Sequence, residues 1–136
     1  MLTEIISGLW IGDSNDSLNS YFYKDNLIDI VINCTIEKPF INHTDIHKVR
    51  LPISSNITPE RDIILLQKNM NKIVDYIYNH STKNIFIHCY NGLNISPLIV
   101  AMYIIKYGDI SKDLIHDVLR SKNKNICLDY NLSLFQ

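Results

Sequence analysis

The sequence predicts an α/β fold with a central, mostly parallel sheet flanked by helices. Two observations carry this. Short β-branched runs alternate along the chain with segments of helical spacing, the pattern of parallel strands joined by helical crossovers. One junction, from Ile85 to Ile105, reads as strand, tight loop and buried helix. Open α/β sheets place their sites at the carboxyl ends of strands. The 136 residues, 46% hydrophobic and 20% charged, fit a single domain over residues 1–136 with one solid core.

The elements follow in chain order. Ile5-Ile6-Ser7-Gly8 and Leu9-Trp10-Ile11-Gly12 read as a short hairpin or strand-turn opening. Asp13 to Lys24 is polar with a few aromatics and is expected to hold a short helix. Ile28 to Asn33 is a β-branched run, expected as a buried strand. Ile46 to Leu51 is expected as another strand, ended by Pro52. Thr58 as N-cap and Pro59 as first helical residue start a helix. Its Ile63, Leu66, Met70, Ile73 and Ile77 are spaced by threes and fours, which puts them on one face. Asn84 to His88 is the next strand. Ser96-Pro97 opens a nearly all-apolar helix that Gly108 stops. Ser111 caps a further helix with Leu114, Ile115, Val118 and Leu119 on one face. Asp129 to Gln136 is expected to begin a last one.

The formal net charge of -1 gives no support for broad attraction to nucleic acid or membrane. Cys34, Cys89 and Cys127 are odd in number and lack paired spacing, which argues against a disulfide framework or a zinc site and for a reducing compartment. Cys34 and Cys127 are expected to pack in the core. His43, His47, His80 and His116 show no ligand spacing, and no metal or cofactor is expected. Met1-Leu2-Thr3-Glu4 lacks a signal-peptide pattern, and the apolar run Pro97 to Ile105 is too short to span a bilayer. The expectation is a soluble, cytoplasmic protein.

Cys89 follows an apolar strand and precedes a loop containing Gly92, and Ser96-Pro97 opens the next helix. Loop amides and a helix N-terminus above a thiol bind anions and lower its pKa. The bland alternative is a small buried cysteine at a strand end. The run His88-Cys89-Tyr90-Asn91-Gly92-Leu93-Asn94-Ile95-Ser96 resembles the signature of the protein tyrosine phosphatase superfamily: His-Cys, five residues, then Arg-Ser/Thr. His88, Cys89, Gly92 and Ser96 match it. Asn94 matches the small viral dual-specificity phosphatases. Gly8 to Gly12 resembles the family's opening strand, Ile30 to Thr35 its Val-Leu-Asn strand, and Arg50-Leu51-Pro52-Ile53 its Ile-Pro segment. The resemblance spans Ile5 to Gln136 and is closest to compact dual-specificity phosphatases of the poxviral type.

Two departures stand out. The arginine that clamps phosphate through paired hydrogen bonds is replaced by Ile95, a loss worth roughly 10³–10⁵ in rate by analogy with other phosphoryl-transfer arginines. The general-acid aspartate, three residues after the Ile-Pro proline, is replaced by Ser55, followed by Asn56. That role is typically worth about 10²–10⁴. The losses need not multiply. Glu60, Arg61, Asp62 and Arg50 are weighed as substitutes. Their plainer readings are acids favoured by a helix N-terminus and exposed salt-bridging arginines.

The resemblance gives His88 a loop-orienting role through hydrogen bonds, and Ser96 the role of assisting the thiolate. The plainer readings are a satisfied strand-end histidine and a helix N-cap. Tyr90 is expected either exposed toward a partner or packed on the loop's walls. Cys89 is then a vestigial nucleophile. The expectation is a pseudophosphatase that binds or scaffolds a protein, such as a phosphoprotein or an active phosphatase's substrate. The alternative is weak hydrolysis of a phosphoprotein, a phosphoinositide or an RNA 5′-triphosphate. Heavy use of Ile, Asn, Lys and Tyr suggests an AT-rich genome, and with the viral-type loop it suggests a virus.

Overall fold

A computed structural model describes residues 2–43, 45–54 and 59–136, with only the backbone at Pro59. Five strands form one sheet: β1 (Thr3–Ile6), β2 (Leu9–Gly12), β3 (Ile30–Asn33), β4 (His47–Arg50) and β5 (Ile85–His88), in the order β1-β2-β5-β3-β4. Among the described residues, β1 and β2 are the antiparallel pair. β2, β5, β3 and β4 run parallel, with Gly12, His88, Asn33 and Arg50 in register at their carboxyl ends. The mostly parallel sheet expected from the sequence is thus present.

The period-two alternation of a strand sorts its side chains between two layers. Leu9, Ile11, Ile30, Ile32, Ile85, Ile87 and Cys89 join the larger core, under α2 (Pro59–Asn79) and α3 (Ile95–Tyr107). Val31 and Phe86 face the other way, into a smaller core with Phe22, Tyr23, Ile41 and Ile46. Phe22 and Phe86 meet edge to face with centroids 4.9 Å apart, a favoured aromatic geometry.

The helix faces largely follow the spacing argument. Leu66, Met70, Ile73 and Ile77 of α2 are buried, and Ile63 packs half-buried beside them. The expected N-cap, Thr58, lies outside the described residues. Helix α3 is buried from Ile95 to Met102. It begins one residue before Ser96, and Asn94 occupies the cap position.

Several expectations need correction. Asp13–Lys24 splits into a 3-10 turn (Asp16–Leu18) and α1 (Ser20–Asp25). Asp13 and Asp16 each accept the other's backbone N–H, at 2.8 and 3.0 Å, an alternative to helix that short acidic side chains favour. On α4 (Lys112–Lys122), Ile115 and Leu119 are fully buried but Leu114 is 58% exposed, because only one turn-spaced row reaches α3. Ser111 holds the N-cap position without a side-chain capping bond. The last segment forms a 3-10 turn (Leu132–Phe135), not an α-helix. Cys127 is exposed and bonds Asp129. Cys34 is buried as expected.

Candidate functional site

The site sits where β5 ends and α3 begins. Cys89 is 2% exposed. Its sulfur lies 3.3 Å from Ser96 Oγ and accepts the Ser96 backbone N–H at 3.5 Å. It also donates to Asn91 Oδ1 at 3.8 Å, and that oxygen accepts Leu93 N–H at 2.9 Å. The α3 N-terminus therefore presents a backbone N–H to the sulfur. Ser96 makes no cap, because Asn94 holds that position; its hydroxyl contacts the sulfur.

Three neighbouring segments brace the loop. Ser14 Oγ donates to Cys89 O at 3.3 Å, and Ser14 N–H to Tyr90 O at 3.4 Å. Cys127 N–H donates to Leu93 O at 3.0 Å. Tyr90 is half-buried; its hydroxyl donates to Glu37 at 2.6 Å and accepts from Ile36 N–H at 3.4 Å. Tyr90 is thus tied to the β3–β4 connection. Gly92 has φ +69°, and a Cβ there would lie 2.7 Å from the Gly12 carbonyl carbon. Only glycine takes that turn against β2 without strain.

Ile95 is 5% exposed and joins the larger core. Ser55 and Asn56 lie outside the described residues, but the adjoining Ser54 is described. Its backbone N–H and its hydroxyl both donate to Asp62. Asp62 is fully buried and paired with Arg61 at 3.0 Å. The plainer sequence reading, an acid at a helix N-terminus, holds, since Asp62 lies in the first turn of α2; its burial was not expected. The sequence offered one signal, an acid a turn into a helix that follows a serine-rich loop.

Arg50 does not form a surface ion pair among the described residues. Its guanidinium donates to the carbonyls of Thr35, Ile36 and Lys38 at 2.9 to 3.1 Å and stacks over Phe40 at 4.7 Å. It ties the β3–β4 connection together.

His88 departs from both of its readings. It is fully buried, and neither ring nitrogen has a hydrogen-bond partner among the described residues. Alternation along β5 puts it on the aromatic side, stacked on Phe86 at 5.6 Å. Burial, reinforced by the Arg50 charge and opposed by Asp13, pushes its pKa down to about 4. Cys34, just past the end of β3 and donating its N–H to His88 O at 2.8 Å, has its thiol held well above the usual range by burial and then by the charge of Cys89. No group of three or more His, Cys, Asp or Glu among the described residues is placed to hold a metal ion.

The sequence model of the family described as dual specificity phosphatase, catalytic domain, matches residues 9–134. The chain belongs to the dual specificity phosphatase family. Human dual specificity protein phosphatase 16 is 28% identical over 134 residues, covering 95% of this chain and 19% of that protein. Bovine dual specificity protein phosphatase 18 is 28% identical over 112 residues, covering 81% of this chain and 57% of that one. The chain therefore spans well under two thirds of these relatives. Among solved structures, human DUSP28 superposes with a TM-score of 0.83 at 12% identity, covering 99% of this chain and 90% of that chain. Human tyrosine phosphatase-like serine/threonine/tyrosine-interacting protein gives 0.78 at 18%, covering 98% and 90%. These structural likenesses show the dual specificity phosphatase fold. No helix among the described residues is long and apolar enough to cross a membrane.

Proposed function

We propose that this chain is a pseudophosphatase, a dual specificity phosphatase fold that binds a protein without turning over phosphate. The observation that carries the reading is Ile95. At the position where the family motif has its phosphate-clamping arginine stands a branched apolar side chain, 5% exposed in the core. It donates no hydrogen bond to a phosphoryl oxygen. Ser55 at the expected general-acid position supports the same reading, since a serine hydroxyl does not protonate a leaving oxygen. Vestigial Cys89 is buried with Ser96 beside it.

The partner on this reading is a phosphoprotein or the substrate of an active phosphatase, held in a reducing cytoplasm, with a viral source favoured by composition. One structural neighbour is itself named as a tyrosine phosphatase-like interacting protein. A second reading, weak cysteine-dependent hydrolysis, is favoured by the 3.3 Å Cys89–Ser96 contact. Comparing aryl-phosphate hydrolysis by the wild type, Ile95→Arg, and Ile95→Arg with Ser55→Asp separates them. Background turnover in the wild type with a rise on restoration supports the first reading. Capture from lysate on wild-type protein, with mass spectrometry, then identifies the partner.

A further inference from the structure

At the end of the sheet opposite Cys89, a cavity of about 300 Å³ opens between the starts of β3 and β4 and the end of α2. Its walls carry Asp29, Asp45, His47, Tyr76, His80 and Lys83. Three rings stand in a row there. His47 and Tyr76 lie near-parallel, 25° apart with centroids at 6.3 Å, and His80 backs Tyr76 at 4.2 Å. The row is fixed from behind, because His80 Nδ1 donates to Tyr76 O at 2.8 Å. Asp29 is fixed too. Its Oδ2 accepts Asn84 N–H at 2.9 Å, and its carbonyl accepts His47 N–H at 2.9 Å. Neither Asp29 nor Asp45 has an ion pair among the described residues, although Lys83 lines the same cavity.

These features select a chemistry. Two carboxylates without cationic partners favour a cation. A near-parallel ring pair favours a flat one, because a planar cation lies over an aromatic face while donating in its own plane. Several N–H donors are needed to serve two carboxylates at once. An ammonium has the charge but no plane. A neutral aromatic has the plane but no charge.

We propose that this cavity recognises a guanidinium group, presented by an arginine side chain of a protein partner. The group stacks on the ring of His47, which is exposed, beside Tyr76, and donates to Asp29 and Asp45.

The test is an amide chemical-shift titration of the full chain. The probes are a blocked Gly-Arg-Gly tripeptide, its lysine counterpart and free methylguanidinium. The expected result is saturable shifts at Asp29, Asp45, Tyr76 and His80, with the lysine peptide weaker by at least about fivefold, the scale of one cation–π contact. The double variant Asp29→Asn with Asp45→Asn keeps the acceptor for Asn84. It is expected to weaken arginine binding by about tenfold with an unchanged melting temperature. Tighter binding of the tripeptide than of methylguanidinium supports a protein-borne arginine; equal binding overturns that source. Equal binding of the lysine peptide, or undiminished binding by the double variant, overturns the site.

Discussion

Acid titration of the fold probes His88 directly. The side chain is fully buried between Phe86 and the strand ends, and its pKa is pushed from the ordinary 6.5 down to about 4, first by burial and then by Arg50. In the unfolded chain the imidazole takes its proton near 6.5. Between those values the unfolded state binds more protons, so stability rises with pH. The contribution is fully present above pH 6.5 and is lost as pH falls to about 4. At about 1.4 kcal/mol per pH unit, the loss over that window is roughly 3 kcal/mol. The control is His88→Phe, which keeps a ring stacked on Phe86 and removes the titration. Urea unfolding of both proteins at pH 7, 5.5 and 4 isolates the effect, since the carboxylates common to both cancel in the difference. The wild type is expected to lose about 3 kcal/mol more than the variant. Parallel pH profiles would refute the assignment of a buried, neutral histidine.

Further predictions follow from packing. Gly92→Ala forces φ +69° on a residue with a Cβ and drives that atom to 2.7 Å from Gly12; it is expected to cost about 1–3 kcal/mol, read as a lower urea midpoint. Leu119→Ala empties a fully buried position and is expected to cost about 2–5 kcal/mol, whereas Leu114→Ala, 58% exposed, stays within about 0.5 kcal/mol. In the native protein a maleimide is expected to label Cys127 alone on a short exposure, because Cys34 and Cys89 are buried. Denaturation then exposes all three, and rapid native labelling of Cys34 contradicts the core placement.

Much of this was legible in the sequence because burial leaves a compositional trace. The runs Ile30–Asn33 and Ile85–His88 are buried on both faces and read as a β-branched run and a short apolar strand. The helix from Ile95 is apolar all round because sheet, α2 and α4 surround it. What escaped depended on tertiary geometry. Neither the strand order nor the face that His88 takes can be read from one strand's sequence. Asp62 reads as a helix-start acid, and its sequence does not show that Ser54 would donate to it in a buried position. Leu114 shares helical spacing with Ile115 and Leu119, but α3 covers only part of that surface. At the site, the motif located Cys89, Gly92 and Ser96. It did not reveal that Ser14 and Cys127 would brace the loop, because those contacts join segments far apart in sequence.

The central claim is that Ile95 and Ser55 leave a phosphatase fold without phosphatase chemistry. The most direct measurement is steady-state hydrolysis of para-nitrophenyl phosphate by the wild type and by Cys89→Ser at matched concentration. The same background rate is expected for both. Wild-type turnover that disappears in Cys89→Ser would contradict it.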